Sequence, residues 1–532
     1  MAESSLDPAP ASGRGARVAD GALALLLCAA ALAYLWLLPR HLMIGDESRF
    51  LYEAKRIRDG EVMYRDIFQF ITPLSAYVMA AMFWLFGTTM NVAFATMAVV
   101  HASMVVALYA TARCLHVRRE LAVIAPLAYL GICYPLFPNA SWHWFSTLGT
   151  ALLLLSLVVS PWPRRPRWAA LPGVLNGIVI GIQQQKGVVL AAGIAAMFVL
   201  NALIDLRYPR AQRGRSPLRQ LAWFGVGVGL VVVPLLAACG LMAGPGTLYA
   251  ALVRFPLENY RSHIGCAWGA PPPFGDDGSS YSFPLLLRYS PATLLLPGLA
   301  CILMTVQGRA RQAVRVLTML IAVAGFSALS IRYYPDVVHI AFIAAGFWVC
   351  AVVGAEWILS MVRPPVVGRV VGALAAVLVG GALAVHLERF QREMVELVPI
   401  SHDTAFGRLD FASEWEPLFI DAVRERLATA ESQEIFCYGL AAPYLTTGGR
   451  NPTPYQFLEP AISPRSHTQN TLVILKRRRV PYIISGPFNM TRDNPITRFI
   501  LANYAQVSLP QVDAVRNFST LALYARKNEP AQ

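Results

Sequence analysis

Long apolar runs separated by short arginine clusters are the feature of this chain that most limits its possible folds. The first run, residues 21–39, has no charge and is close to the roughly 20 residues that a membrane-spanning helix needs. Of all 532 residues, 56% are hydrophobic and 14% are charged, whereas soluble domains have about 25% charged residues. The sequence therefore predicts a polytopic α-helical membrane protein.

The arginine clusters indicate how these runs thread the membrane, because cytoplasmic loops are enriched in Lys and Arg. They predict about eleven crossings after a cytoplasmic tail at residues 1–19. The predicted spans are residues 21–39, 91–115, 120–137, 145–161, 169–182, 187–205, 220–240, 291–306, 313–330, 338–361 and 369–386. Residues 73–87 are interpreted as a helix that lies against the interface or dips into it. A cleaved signal peptide is the alternative for the first run, since the alanines within residues 29–33 offer the small residues of a cleavage site.

The net charge of +14 agrees with this threading. In a soluble protein it would suggest nucleic-acid binding, but here the arginines cluster between apolar runs. We therefore expect membrane lipids, and not nucleic acid, as partners. The eight cysteines form no C-x-x-C pair and most lie in apolar runs, which predicts neither a disulfide framework nor a metal site.

Three segments are expected on the face opposite the arginine clusters. They are a first loop at 40–72, a turn-rich loop at 243–290 and a C-terminal domain at 391–532. This last domain follows a transmembrane domain of residues 20–390 and alternates helical and strand-like pieces. Helices are predicted at 411–430, 467–478 and 496–504, and strands at 434–438, 481–485 and 521–525. The pattern is typical of a small extracytoplasmic α/β domain.

Two adjacent carboxylates, Asp46 and Glu47, stand at the start of the first loop. Carboxylates are costly near lipid, and a plain connector would not need them. Residues 48–60 have the pattern of an amphipathic helix on the membrane, whose later charges are interpreted as solvated. Asp46, Glu47 and Arg49 lie at its start, where a carboxylate is suited to remove a proton from an acceptor hydroxyl.

Two cations stand out because the short loops on this face carry almost no other Lys or Arg. Lys186 follows three glutamines at 183–185, and Arg332 lies in the tight loop 331–339. An ammonium stabilises the charge on a leaving phosphate, and a guanidinium matches phosphate oxygens. The alternative for Lys186 is a side chain that snorkels to the interface.

Asp336 and His339, three residues apart, are expected to orient Arg332 or to touch sugar hydroxyls. The alternative is an Asp–His pair that caps the next span. Two ligands do not make a metal site, so no metal is predicted, although a divalent cation stays possible. Trp142 and His143 are typical of an aromatic belt at a membrane edge, and lining the substrate is the alternative role for both.

The motifs of the first loop resemble a known family. GDESRFLYEA at 45–54, GEVMYRD at 60–66, PLSAY at 73–77 and LFG at 85–87 resemble the GT-C membrane glycosyltransferases. More narrowly, they resemble the bacterial branch related to protein O-mannosyltransferases and aminoarabinose lipid A transferases. The resemblance covers roughly residues 20–390. One departure is that several relatives carry Lys before the Pro of the next helix, whereas Thr72 precedes Pro73 here.

The resemblance implies an enzyme that moves a sugar from a polyprenyl-phosphate carrier to a lipid, glycan or protein acceptor. It also implies a multi-pass protein of the bacterial inner membrane whose active site faces the periplasm or exterior. No cofactor is expected. The rival classes are a transporter or flippase, which usually has inverted repeats and charges at the midplane, and a non-catalytic assembly protein.

The resemblance also implies roles for individual residues. Asp46 is expected to be the general base, with Glu47 orienting it or binding the acceptor, and direct displacement would invert the anomeric carbon. The residues expected to bind substrate are Lys186 and Arg332 at the phosphate, Arg49 or Arg65 beside them, and Asp66, Asp336, His339, Trp142 and His143.

Overall fold

Helices dominate the computed structural model, which describes residues 14–206, 216–260, 265–271, 283–306, 310–361, 365–456, 458, 463–486, 490, 493–515 and 521–527. Up to the last long helix they are α1 (Arg14–Trp36), α2 (Asp46–Arg58), α3 (Leu74–Phe86), α4 (Met90–Cys114), α5 (Arg119–Ala122), α6 (Ile124–Ala128), α7 (Trp142–Val159), α8 (Ala170–Ile182), α9 (Gln184–Asp205), α10 (Pro217–Ala243), α11 (Pro245–Tyr249), α12 (Pro284–Arg288), α13 (Leu295–Val306), α14 (Ala310–Leu320), α15 (Phe326–Ser330), α16 (Val337–Ser360) and α17 (Pro365–Leu397). Short π- or 3₁₀-helical turns link several of them.

Nine helices in the described ranges are long and apolar enough to cross a membrane, which confirms the class of fold but not the predicted count of about eleven spans. The predicted spans at 169–182 and 291–306 are the ones that differ. They correspond to α8, with 13 residues, and α13, with 12 residues. A helix of this length reaches only about 20 Å, against roughly 30 Å of hydrocarbon. α3 also has only 13 residues.

Salt bridges fix the arginine-rich ends of the helices. Arg118 pairs with Glu356 near the end of α16 at 2.7 Å, and Arg315 of α14 pairs with Asp205 at the end of α9 at 2.7 Å. Two of the arginines at these ends are therefore neutralised by a carboxylate of a neighbouring helix. The candidate functional residues lie at the opposite ends of the same helices.

Helices α8 and α10 approach each other closely through glycines. A Cβ atom on Gly173 would lie 2.2 Å from the backbone oxygen of Phe224, and one on Gly227 would lie 2.2 Å from that of Ala170. Small residues allow membrane helices to pack at short range. Because α8 leads directly into α9, this contact also fixes the segment that carries Lys186.

The C-terminal region combines a hairpin, a four-stranded sheet and five helices. The hairpin pairs β1 (Ile400–Thr404) with β2 (Gly407–Phe411). The sheet has the order β3-β4-β6-β5. β3 (Ile435–Tyr438) is parallel to β4 (Tyr482–Ser485), and β6 (Ala522–Arg526) is antiparallel to both β4 and β5 (Tyr504–Gln506). The helices are α18 (Trp415–Thr429), α19 (Ala442–Thr447), α20 (Arg465–Arg478), α21 (Pro495–Asn503) and α22 (Pro510–Asp513). The three predicted strands are confirmed to within one residue.

Aromatic stacking and backbone hydrogen bonds join the C-terminal region to the membrane helices. Tyr52 of α2 stacks on Tyr444 of α19 with centroids 4.6 Å apart, and its hydroxyl accepts the backbone N–H of Asn451 at 2.8 Å. The N–H of Met90, at the start of α4, donates to the carbonyl of Phe406 at 2.8 Å. The C-terminal region therefore covers α2.

We expect Gly227→Val to weaken the protein and Gly225→Val to leave it nearly unchanged. The side chain at 227 meets the backbone of α8, whereas a Cβ at 225 has no atom within 4 Å. Overpacking of this kind costs about 1–3 kcal/mol. The thermal unfolding temperature of the purified protein measures the difference, and equal values for the two variants would contradict the proposed close packing.

Candidate functional site

Lys186 is a buried cation in the first turn of α9. Its side chain is 3% exposed, and Nζ donates hydrogen bonds of 3.3 Å to Ser146 Oγ, Thr147 Oγ1 and the carbonyl oxygen of Phe342. All three partners are neutral, and within the described ranges no carboxylate lies within 4.0 Å of Nζ. The side chain therefore points into the protein and does not snorkel. A buried charge without a counter-ion is costly, so the position favours an anion.

The three glutamines before Lys186 fasten the start of α9 to its surroundings. Gln183 accepts a hydrogen bond from Ser146 Oγ at 2.9 Å, and Gln184 accepts one from the backbone N–H of Thr72 at 3.0 Å. Gln185 donates a hydrogen bond to the carbonyl of Ser330 at 2.5 Å. Thr72, the departure from the family pattern, is thus tied to residues 183–185.

His143, Asp336 and His339 lie together beside the cation. The His143 ring stacks on Phe342 at 4.4 Å and meets the edge of His339 at 5.2 Å. Asp336 accepts both the backbone N–H and the Nδ1 of His339 at 2.7 Å, which confirms the capping alternative for this pair. A contact with sugar stays a prediction. Among the described residues, no group of three or more His, Cys, Asp or Glu is arranged to hold a metal ion.

Arg332 and Arg65 are exposed. The guanidinium of Arg332 lies 4.6 Å over the Tyr333 ring. Arg65 pairs with Asp66 at 2.7 Å, and this bond lowers the pKa of the Asp66 carboxyl. A phosphate contact stays a prediction for both arginines.

Asp46 is the first residue of α2. It follows Gly45, whose φ of 121° is a conformation that glycine adopts readily. The carboxylate is 43% exposed and lies 3.4 Å from Nη1 of Arg49. The N-terminal end of a helix favours negative charge. Asp46 is therefore an accessible carboxylate at a position that stabilises its charge.

Glu47 is buried and serves as a structural link. It is 1% exposed, and its two oxygens accept the backbone N–H groups of Met43 at 2.8 Å and Ala140 at 2.6 Å. Burial raises the pKa of Glu47 to about 8, although both hydrogen bonds favour the ionised form. The side chain fixes the start of α2 to the chain just before α7, a geometry suited to positioning.

Helix α7 connects the acidic and the cationic parts. Phe50 of α2 packs against Trp142 and Phe145, with centroids 6.1 and 6.0 Å apart. Ser146, which binds Lys186, follows Trp142 by one helical turn, or about 6 Å. The N-terminal ends of α2, α7, α9 and α16 thus interlock, and such ends attract anions.

The sequence did not predict two hydroxyl groups that bind Lys186, nor the burial of two charged side chains of α2. Ser146 and Thr147 form a polar break in the apolar sequence of α7, and this pattern could have identified them. The prediction that Arg56 is solvated is wrong, because its side chain is 4% exposed and pairs with Glu61. Glu53 is also buried, since it is 3% exposed and accepts a hydrogen bond from Gln69.

Two solved structures of known proteins have a similar fold. The crystal structure of ArnT from Cupriavidus metallidurans bound to undecaprenyl phosphate aligns with a TM-score of 0.57 and 14% identity, over 96% of this chain and 98% of that one. The crystal structure of the same protein in the apo state aligns with a TM-score of 0.57 and 13% identity, over 96% of this chain and 98% of that one. The chain has a GT-C fold.

The cryo-EM structure of the arabinofuranosyltransferase AftD from Mycobacteria aligns with a TM-score of 0.54 and 12% identity, over 96% of this chain and 40% of AftD. No family model matches the chain, and no curated protein sequence matches it. The GT-C fold that the first-loop motifs predicted is therefore confirmed by structure comparison.

The buried carboxyls predict a stability that falls with pH. Burial raises the pKa of Glu53 from 4.5 to about 8, so its contribution is full below pH 4.5 and is lost progressively as pH rises to about 8. Glu53→Gln keeps an acceptor for Gln69 and removes this titration. We expect its unfolding temperature to decline less between pH 5 and 8 than that of the wild type.

The exposed Glu396 supplies the control for this experiment. Glu396→Gln should follow the wild-type profile, because it replaces an exposed side chain near the end of α17 and leaves Glu53 in place. A Glu53→Gln profile that parallels the wild type would contradict a neutral, buried Glu53.

Proposed function

We propose that this protein is an integral-membrane glycosyltransferase whose sugar donor is a polyprenyl-phosphate carrier. The observation that carries the proposal is the buried Lys186 ammonium, which has only neutral partners where α7, α9 and α16 begin. A substrate phosphate would supply the missing negative charge. The shared fold with ArnT, whose structure holds undecaprenyl phosphate, supports this choice of anion.

In the proposed reaction Asp46 acts as the general base. Its carboxylate takes the proton of the acceptor hydroxyl while the acceptor oxygen attacks the anomeric carbon. The bond to the carrier phosphate breaks, and the phosphate leaves with the bonding electron pair. Lys186 stabilises the negative charge on that phosphate within a buried site. Attack opposite the phosphate inverts the anomeric configuration.

The remaining candidates surround these two groups. His143 and His339 lie beside Phe342, whose carbonyl binds Lys186, so they are placed to line the phosphate or the sugar. Trp142 lies next to them on α7. The exposed residues Arg332, Arg65 and Asp66, together with Arg49 beside the base, are proposed to guide the charged head group.

The proposed setting is the bacterial inner membrane, with the site on the periplasmic or outer face. The arginine-rich helix ends would then be cytoplasmic, in keeping with the positive-inside rule. Asp46 and Lys186 lie at the other ends of the helices, where a lipid-linked sugar and an envelope acceptor both have access.

Lys186→Met should weaken the binding of undecaprenyl phosphate at least about tenfold, which corresponds to about 1.4 kcal/mol. Lys186→Arg should weaken it less, because the charge remains. Native mass spectrometry of the purified protein with added undecaprenyl phosphate gives the measurement. Lys476→Met changes an exposed lysine of α20 and is the matched control. Unchanged binding in Lys186→Met would remove Lys186 from the phosphate site.

Asp46→Asn should lower sugar transfer by about 10²–10⁴-fold, the usual contribution of a general base. The variant should insert into the membrane, unfold at the wild-type temperature and still bind undecaprenyl phosphate. The assay is mass spectrometry of envelope glycans from a deletion strain that carries either form. Asp59→Asn, at the far end of α2 and paired with Lys55, is the control. Normal glycans in the Asp46→Asn strain would exclude this base.

A further inference from the structure

A separate cleft lies between α1, α4 and the chain before α7. It has a volume of about 410 Å³, counting its open mouth, and we call it the α1/α4 cleft. Its apolar wall includes Leu35, Phe94, Met97 and Ala98. His41, Glu47 and Asn139 are among the residues that give it a polar part. The cleft is thus amphipathic, with apolar residues from both membrane helices.

Asn139 indicates that the polar part is built for a ligand. Its side chain is buried at 6% exposure, and Nδ2 donates only to the sulfur of Met43 at 3.3 Å. The carbonyl oxygen Oδ1 is buried and has no hydrogen-bond partner within the described chain. An unsatisfied buried acceptor costs about 1–3 kcal/mol. A ligand hydroxyl would remove that cost.

The charge of the cleft argues against a phosphate ligand. None of the residues that line it is Lys or Arg. The nearby cation Arg40 lies 4.0 Å over the Phe94 ring and donates to the carbonyls of Trp36 and Leu38. Carboxyl and amide groups suit neutral hydroxyls instead. The α1/α4 cleft therefore differs in chemistry from the surroundings of Lys186.

We propose that the α1/α4 cleft binds the acceptor and that the acceptor is a lipid with an uncharged, hydroxylated head group. Its hydroxyls would meet Asn139 and Glu47, and its hydrocarbon chain would lie along α1 and α4. That the ligand is the acceptor rests on the proposed function. Glu47 lines the cleft and belongs to the same first turn of α2 as Asp46, so the cleft reaches the turn that carries the proposed base. A hydroxyl of the acceptor gives its proton to Asp46, and its oxygen forms the bond to the anomeric carbon as the carrier phosphate departs.

Photo-crosslinking with two lipid probes tests this inference on the full-length protein in nanodiscs. One probe is a monoglycosyl diacylglycerol with a diazirine in its acyl chain, and the other is an undecaprenyl phosphate with a diazirine in its prenyl chain. We expect the neutral glycolipid to label residues 90–98 of α4, and the phosphate probe to label other segments. Peptide mass spectrometry locates the labelled positions.

Two variants and one control sharpen the experiment. Ala98→Trp fills the cleft and should lower glycolipid labelling of α4 at least about fivefold, whereas Val99→Trp adds the same ring to an exposed neighbour and should not. Asn139→Leu keeps the branched shape of the side chain but removes the amide, and it should also lower labelling. It serves as the independent variant if Ala98→Trp does not fold.

Each outcome decides for or against the cleft. Labelling of residues 90–98 by the phosphate probe, by both probes equally or by neither overturns the inference, as does unchanged labelling in Asn139→Leu. Lys186→Met separates the two proposals: loss of undecaprenyl phosphate binding with retained glycolipid labelling supports both. If that variant binds undecaprenyl phosphate normally, the proposed function fails, while the labelling still decides whether the cleft binds a neutral lipid.

Discussion

The hydrogen bonds of the Lys186 ammonium are the interaction on which the candidate site depends. They tie the first turn of α9 to α7 through two hydroxyls and to α16 through one carbonyl. No carboxylate of the described residues lies within 4.0 Å of Nζ, so neutral dipoles and the surrounding side chains hold the ammonium in place. The close contact of α8 with α10 and the bonds of residues 183–185 make this arrangement rigid.

Much of the architecture was predictable because its causes are local. Membrane spans follow from the length of an apolar run, and the strands at 435–438 and 482–485 follow from short β-type segments between turns. The predicted count of about eleven spans exceeds the nine helices of spanning length in the described ranges, because α8 and α13 are apolar but short. Their hydropathy alone does not reveal that they are packed among longer helices.

The candidate site was predictable only in part, because burial depends on distant contacts. Lys186 stood out because the short loops on its face carry almost no other Lys or Arg, and its burial could not be read from that pattern. Arg56 was interpreted as a solvated charge of an amphipathic helix, and nothing in the sequence indicated that Glu53 of the same helix is buried. Both side chains are buried because the C-terminal region covers α2. Contacts such as the stacking of Tyr52 on Tyr444 join residues that are far apart in the sequence.

The carboxyl of Glu47 bridges two backbone amides, one before α2 and one before α7. Such a bridge works as a spacer of fixed length between the acidic helix and the helix that carries Ser146 and Thr147. A shift of α2 would strain this bridge unless α7 followed it. The bridge therefore links the position of Asp46 to that of the hydroxyls that accept hydrogen bonds from Lys186.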